Sequence, residues 1–212
     1  IVDNFPSTYA IVKIEVTKAA WFAHLPEGKV PFNMETLSFS NAGTETKIDI
    51  GLIYIHGNPG ENGKIQAYLD MKGLPYVNSG ALASELSFDK WYCNQFLSKF
   101  GVRVAESVFL TSRTAVDEAT IIAQLGLPCF VKPSDSGSSY GISRVNTADT
   151  LGAALDKAFA EGGTVIVEAF LDGTEVTCGI YRRHTGLHAL PLTEIASEND
   201  FFDYEAKYLG KS

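Results

Sequence analysis

The chain has 212 residues, 45% of them hydrophobic and 20% charged, with a formal net charge of -8. With 13 Phe, 9 Tyr and 2 Trp, this composition excludes a disordered acidic chain and suffices for one medium domain or two small ones. Three widely spaced cysteines exclude a disulfide scaffold and favour a reducing, cytoplasmic compartment. The acidic balance argues against nucleic-acid partners, and the lack of an apolar run of ~20 residues argues against a membrane partner.

The two ends of the sequence predict a piece of a longer polypeptide. The chain opens at Ile1 without an initiator methionine and stops at Ser212, directly after an aromatic and charged segment. A small complete protein is the alternative.

Hydrophobic patterning predicts β-structure in the first quarter of the chain. β-Branched residues predict a strand over 9–16, and the mixed composition of 17–47 predicts short strands and loops. The nearly continuous apolar run Ile48–Ile55 predicts a strand buried on both faces of a parallel sheet.

A glycine-rich loop containing His56 and Glu61 follows this predicted strand. After it, Ile65, Tyr68, Leu69 and Lys72 have the spacing of one helix face, and Gly73 ends the pattern. A loop at the carboxyl end of a strand is where open α/β sheets place ligands. His56 and Glu61 are therefore candidate site residues, and a structural role for each is the alternative.

The remainder of the chain predicts alternating helices and strands. The first helix carries on one side Phe88, Trp91, Tyr92, Gln95, Phe96 and Lys99, and a strand over 107–110 follows it. The next helix is capped by Thr114 and Asp117, and its apolar face contains Val116, Ala119, Ile122 and Leu125. After it come strands over 127–132 and 142–145, a helix over 151–159, a strand over 164–169 and a hairpin over 175–195.

The polar loop 133–141 is the most informative candidate site. Small residues let a backbone approach a ligand, and their N–H groups can surround a phosphate. Lys132 at the base of the loop supplies a charge for that phosphate, and Lys90 is a second candidate cation. The return into a strand distinguishes this loop from a Walker-type phosphate loop. The alternatives are an ordinary hairpin loop and a solvated surface lysine.

Two carboxylates flank the connector after the strand 164–169. Glu168 and Glu175 could accept hydrogen bonds from an adenine amino group and from ribose hydroxyls, or could be surface carboxylates, and the residues between them could be hinge packing. The aromatic and charged segment 201–208 predicts either a lid over a site or a packed helix.

Several motifs occur in a fixed order between about residue 50 and residue 208. They are His56-Gly57-x-x-Gly60-Glu61-x-Gly63, Gly73-Leu74-Pro75-Tyr76, Ser79-Gly80, Asp89-Lys90, Gly126-Leu127-Pro128, Val131-Lys132-Pro133, Gly137-Ser138-Ser139-x-Gly141, Glu168 to Glu175 and Phe202-Asp203-Tyr204-Glu205-Ala206-Lys207-Tyr208. Together they resemble the D-alanine–D-alanine ligase family of the ATP-grasp superfamily.

The resemblance implies an α/β (α+β) fold in three parts. Residues 1–79 would form an N-terminal parallel α/β domain on the substrate side, incomplete because its first strand and helix are missing. Residues 80–171 would form the ATP-grasp central domain, and residues 172–212 the start of the C-terminal ATP-grasp domain with part of a mobile loop. It further implies ATP and Mg²⁺ or Mn²⁺ as cofactors and D-alanine as substrate, and it leaves a homodimer open.

The resemblance also implies roles for individual residues. Phosphates of ATP would be held by Lys90, Lys132, Ser138, Ser139 and Lys207; adenine by Glu168, Ala169, Phe170 and Leu171; ribose by Glu175; and Phe201 would also contact the nucleotide. The D-alanine site would include His56, Glu61, Ser138 and Tyr208, with Ser138, Tyr208, Lys207 and Glu61 as the catalytic set. Metal ligands are expected only beyond the present chain.

The implied reaction forms D-alanyl-D-alanine for peptidoglycan synthesis through an acyl phosphate. The segment 205–208 favours an amine nucleophile over a hydroxy acid, and a chain of these 212 residues alone is expected to show no turnover. Another ATP-grasp carboxylate–amine ligase and a non-catalytic nucleotide-binding fragment remain alternatives. The lack of a G-x-G-x-x-G loop argues against a dinucleotide oxidoreductase.

Overall fold

The computed structural model describes residues 5–114 and 116–195. Their mixture of helices and strands confirms the expected fold class. The described residues divide into two compact units. One contains the residues up to Ile53 together with Tyr68–Asn78, and the other contains Tyr54–Ala67 and the residues from Ser79 onward. The three-part division at 79/80 and 171/172 stays a prediction.

The first unit contains a five-stranded antiparallel sheet whose strands follow chain order. The strands are β1 (Lys13–Val16), β2 (Trp21–Leu25), β3 (Gly28–Asn33), β4 (Ser38–Asn41) and β5 (Thr44–Lys47). Alternate residues bury one face, including Trp21, Ala23, Phe32 and Phe39. The prediction of short strands in this region is confirmed. The expected parallel sheet is not, because short connections join consecutive strands and make their pairing antiparallel.

The predicted buried strand Ile48–Ile55 is wrong. Its one pairing among the described residues is a parallel bridge between Gly51 and Tyr76, and Leu52 and Tyr54 are exposed. A strand buried on both faces needs hydrogen-bonded neighbours and a covering layer on each side. An apolar run alone does not supply these partners, so the segment does not form a strand.

Helix α1 (Lys64–Lys72) confirms the predicted helix, since Ile65 and Leu69 lie on its buried side. Gly73 ends it with a φ of 68°, in the left-handed region that glycine adopts without strain.

The predicted aromatic helix over 88–99 is two helices, α2 (Ala81–Phe88) and α3 (Lys90–Ser98). Asp89 separates them because its backbone is extended and its side chain accepts a hydrogen bond from the Tyr92 N–H over 3.1 Å. An aspartate in this position favours a new helix start over continuation of the preceding helix.

The second unit is built on a four-stranded antiparallel sheet of order β6-β9-β7-β8. Its strands are β6 (Ser107–Leu110), β7 (Cys129–Pro133), β8 (Ser143–Val145) and β9 (Val165–Ala169), and its helices are α4 (Glu118–Leu125) and α5 (Leu151–Glu161). The core contains residues from both helices and one sheet face, among them Ile121, Val131, Leu155 and Val167. The predicted strands and the α5 face are confirmed.

The predicted start of α4 needs correction. Asp117 alone caps the helix, accepting from the Thr120 N–H, whereas the Thr114 hydroxyl bonds to that of Ser112. Ile121 is the buried residue of α4, and Ala119 is exposed.

The predicted hairpin over 175–195 is confirmed as two nested pairs. The strand β10 (Val176–Thr177) pairs with β13 (Thr193–Glu194), and β11 (Ile180–Arg183) pairs with β12 (Gly186–Ala189). In the portion of the chain that the structure describes, every helix is too short or too polar to cross a bilayer.

Candidate functional site

The second unit's sheet has one face covered by helices and another that carries the candidate site. Along β7, Cys129, Val131 and Pro133 are buried, whereas Phe130 and Lys132 alternate with them onto the opposite face. Glu168 of β9 lies directly across from Phe130. The strand pairing therefore brings Lys132 and Glu168 together on the face that lies away from α5.

Lys132 and Glu168 form an ion pair that a third residue completes. The Lys132 ammonium donates to Oε2 of Glu168, and the amide of Asn94 on α3 donates to Oε1 over 2.7 Å. The Glu168 carboxylate is buried, at 7% exposure, so both oxygens need partners. Lys132 also lies 5.3 Å from the centre of the Phe130 ring.

Lys90, at the first position of α3, contacts the loop that follows Lys132. Its ammonium donates to the backbone carbonyls of Pro133, at 3.0 Å, and of Ser136, at 2.6 Å. Burial lowers the pKa of Lys90 to about 8, and the nearby charge of Lys132 acts in the same direction. The two lysines predicted to hold phosphate thus flank one loop.

Asp89 and Ser134 hold the start of α3 against the end of β7. The buried Ser134 hydroxyl donates to Oδ1 of Asp89 over 2.6 Å and accepts from the Trp91 N–H over 3.3 Å. The Lys90 N–H donates to the Ser134 carbonyl over 2.9 Å. Sequence reasoning missed Asn94, because an asparagine within a helix carries no local signal. Asp89 stood out only as part of the Asp89-Lys90 motif, and Ser134 only as part of the polar loop 133–141.

The loop after β7 adopts a left-handed backbone at three positions. Ser138, Ser139 and Gly141 have φ values of 53°, 60° and 71°. A Cβ on Gly141 would lie 2.7 Å from Cγ of Pro133, so this position also needs glycine for space. The sequence supplies the small residues that this tight return from β7 into β8 requires.

Glu61 lies beside this loop. Its Oε2 accepts from the Gly57 N–H over 2.6 Å, and its Oε1 lies 3.7 Å from Nδ1 of His56. A Cβ on Gly137 would contact Glu61 Oε2 at 3.5 Å. The structure therefore brings Glu61 next to the serine- and glycine-rich loop, with His56 beside Glu61.

The last residue of β9 and the residue after it donate their backbone N–H groups to carbonyls within the protein. The Ala169 N–H donates to the Glu106 carbonyl over 2.9 Å, and the Phe170 N–H donates to the Pro128 carbonyl over 3.3 Å. The Phe170 ring lies 6.2 Å from that of Phe130 and 5.1 Å from the Arg144 guanidinium carbon. The backbone N–H groups of Ala169 and Phe170 are therefore already paired within the protein.

The remaining predicted site residues are either exposed or outside the described residues. Leu171 is 65% exposed, and Glu175 is exposed at the start of the hairpin, where its carbonyl accepts from the Ile195 N–H. Phe201, Lys207 and Tyr208 lie outside the described residues. Within 5–114 and 116–195, no group of three or more His, Cys, Asp or Glu side chains could hold a metal ion.

Comparison with known proteins identifies the family. A family model described as the D-Ala–D-Ala ligase C-terminus matches residues 96–212, more than half of the chain. The chain belongs to the D-alanine–D-alanine ligase family. The resemblance of its ordered motifs to that family is thereby confirmed.

Curated members of the D-alanine–D-alanine ligase family align along nearly the whole chain. The D-alanine–D-alanine ligase of Bacteroides fragilis is 42% identical over 204 residues, which are 96% of this chain and 63% of that protein. The Porphyromonas gingivalis ligase is 44% identical over 206 residues, 96% of this chain and 62% of that protein. The chain thus spans somewhat less than two thirds of the length of these relatives.

Solved structures of D-alanine ligases have the same fold. D-alanyl-alanine synthetase A of Vibrio cholerae superposes with a TM-score of 0.80 at 28% identity, covering 92% of this chain and 60% of that one. The VanG D-Ala:D-Ser ligase of Enterococcus faecalis gives 0.83 at 28% identity, covering 98% and 66%. These neighbours confirm the expected ATP-grasp fold class.

Proposed function

We propose that this chain forms the nucleotide-binding part of an ATP-dependent ligase that joins two D-alanine molecules. The observation that carries the proposal is that Lys132, at the end of β7, precedes the loop, while Lys90 of α3 donates to a carbonyl of that loop and lies close enough to feel the charge of Lys132. Two lysines beside a serine- and glycine-rich backbone suit a polyphosphate, whose negative charge they partly neutralise. Family membership supports the same activity.

The proposed chemistry has two steps. The γ-phosphoryl group of ATP moves to a carboxylate oxygen of the first D-alanine, which yields ADP and an acyl phosphate. The amine of the second D-alanine then attacks the acyl carbon, so that a C–N bond forms, the C–O bond to phosphate breaks and the amine loses a proton. Because a carboxylate and a triphosphate repel each other, the first step needs positive charge at the transferred group.

Residues of this chain would supply that charge and exclude water. Lys132 and Lys90 would bind the phosphates, with Ser138 and Ser139 placing backbone and hydroxyl groups above them. Glu168 to Leu171 and Phe201 would border the base, and Glu175 the ribose. Lys207 would reach the transferred phosphate, and closure of its segment would keep water from the acyl phosphate.

The D-alanine side of the site rests on the family pattern. Glu61 would order the loop that carries His56, supported by its hydrogen bond from the Gly57 N–H. Ser138 and Tyr208 would join the hydrogen-bond network around the substrate. One structural neighbour is a D-Ala:D-Ser ligase. Since D-alanine and D-serine both attack through an amine, the second substrate has to be decided by assay.

The described residues do not form a magnesium or manganese site by themselves. We therefore propose no reaction step through a metal for these residues. Mg²⁺ or Mn²⁺, a cytoplasmic location and a homodimer stay predictions.

Lys132→Ala tests the nucleotide half of the proposal. We expect the affinity of the chain for magnesium ATP, measured by calorimetry, to fall about 10- to 100-fold because one charge-assisted hydrogen bond is lost. Lys99→Ala removes an exposed lysine at the end of α3 and should leave the affinity unchanged. Equal affinities of Lys132→Ala and the parent chain would refute the nucleotide site.

The ligation half is tested on the natural protein that contains this sequence. We expect phosphate release from ATP to require D-alanine and to yield D-alanyl-D-alanine. Release with another amino acid and not with D-alanine would instead support a different carboxylate–amine ligase. Binding of ATP without stimulated release would support a non-catalytic nucleotide-binding protein.

A further inference from the structure

Glu168 is held by two donors from different elements, and only one of them is a lysine. Lys132 donates to Oε2, and Asn94 donates to Oε1 over 2.7 Å. Each oxygen of this buried carboxylate thus has its own partner. The arrangement leaves Lys132 in contact with a single oxygen of Glu168.

Asn94 is placed by the same helix that carries Lys90. The two residues are four apart on α3 and therefore lie on one side of it, one turn from each other. The bonds among Asp89, Ser134 and Trp91 fix the start of the helix. Stacking of Trp91 on Phe109, with centroids 5.0 Å apart and planes at 12°, packs α3 onto β6.

We propose that Asn94 is a positioning residue that controls how Lys132 meets the nucleotide. A lysine ammonium has three donors, and a carboxylate with both oxygens unoccupied can engage two of them. The Asn94 amide holds Oε1 toward α3, so that Lys132 meets Glu168 through Oε2 alone. Two N–H donors of Lys132 then remain for phosphate oxygens.

This inference rests on the proposed nucleotide site and predicts that loss of the Asn94 amide weakens nucleotide affinity. Without the Asn94 amide, Glu168 would turn both oxygens toward Lys132, neutralise more of its charge and draw it away from the phosphates. Nucleotide affinity should fall although the Asn94 amide bonds to Glu168 and would act on the nucleotide only through Lys132.

The test compares two amide-to-leucine changes on one helix. Asn94→Leu should raise the Kd of the chain for magnesium ATP about tenfold, the factor expected for one hydrogen bond to a charged group. Gln95→Leu changes the adjacent, exposed amide and should leave the Kd within about twofold. An unchanged Kd for Asn94→Leu, in a protein with parental circular dichroism, would overturn the inference.

A double-mutant cycle separates positioning from a general effect on the helix. If Asn94 acts through Glu168, Asn94→Leu should cost less than about twofold in affinity when introduced into Glu168→Gln. The same tenfold loss in both backgrounds would mean that Asn94 only supports α3, and the inference would fail. The cycle also detects partial misfolding caused by Asn94→Leu, because a folding defect would lower the affinity in the Glu168→Gln background as well.

Failure of the inference is distinguishable from failure of the proposed function. If Lys132→Ala loses affinity and Asn94→Leu does not, the nucleotide site stands and the role of Asn94 is wrong. If Lys132→Ala binds magnesium ATP as well as the parent chain, the proposed function itself is wrong.

Discussion

The ammonium of Lys90 lies 2.6 Å from the backbone carbonyl oxygen of Ser136. A carbonyl stabilises a lysine less than a carboxylate does, because it carries only a partial charge. Burial of Lys90 against carbonyls, with the positive charge of Lys132 nearby, accounts for its pKa of about 8. The charge of this side chain therefore depends on pH in a range accessible to experiment.

Nucleotide affinity should weaken above pH 8. Lys90 is protonated below its pKa and becomes neutral above it, so its attraction for phosphate is present at pH 7 and lost as pH rises through about 8. We expect the Kd for magnesium ATP to rise by up to about tenfold per pH unit over that range. Calorimetry between pH 7 and pH 9.5 would measure it.

Lys90→Arg is the matched control for this pH dependence. A guanidinium stays charged throughout the range, so the variant should give a flatter profile than the parent chain. Identical profiles for the two proteins would show that another group causes the dependence.

Ser134→Ala should destabilise the second unit by about 1.5–3 kcal/mol, because its hydroxyl bonds to the charged Asp89 and is buried. Urea unfolding followed by the fluorescence of Trp91, in a Trp21→Phe background, would report this unit alone. Ser98→Ala, on the exposed part of α3, should change stability by no more than about 0.5 kcal/mol. Equal effects of the two changes would contradict the role given to Ser134.

Gly141→Ala should cost about 2 kcal/mol or more in unfolding free energy. A Cβ there would lie 2.7 Å from Pro133 Cγ, and the φ of 71° disfavours any side chain. Gly163→Ala is the control, because a Cβ at that position would meet no atom of the described residues within 4 Å and its φ lies outside the left-handed region. Thermal unfolding of both variants would show the difference, and equal midpoints would refute the packing argument.

Leu155→Ala should cost about 2–5 kcal/mol, since this fully buried leucine joins α5 to the sheet and its removal leaves a cavity. Leu82→Ala, at an α2 position that is 74% exposed, should change stability by less than about 0.5 kcal/mol. Urea unfolding compares the two, and a small effect at Leu155 would mean that the core lies elsewhere.

Local patterns predicted most elements of the second unit. The face of α5 could be predicted because Leu151, Ala154, Leu155 and Ala158 recur at helical spacing and all four are buried. The strand Ile48–Ile55 could not be judged from its apolar residues, because burial depends on neighbours that local sequence does not specify. The break between α2 and α3 depends on one aspartate, which a pattern of aromatic residues obscured.

The candidate site was predictable only where a residue type carries its own chemical signal. Lys132 and the loop after it stand out because a cation precedes a run of small residues. Asn94 is an ordinary polar helix residue, and its bond to Glu168 joins α3 to β9, 74 residues further along the chain. Such contacts between distant residues are set by the tertiary fold.

The alternation along β7 has a consequence for tolerance to mutation. Cys129 and Val131 face a packed interior, whereas Phe130 and Lys132 face the opposite side of the sheet. A scan of all substitutions at successive positions of β7 should therefore show alternating effects. Substitutions at odd-numbered positions should lower the abundance of folded protein, and those at even-numbered positions should lower ligand binding. One short segment would then report separately on foldability and on recognition.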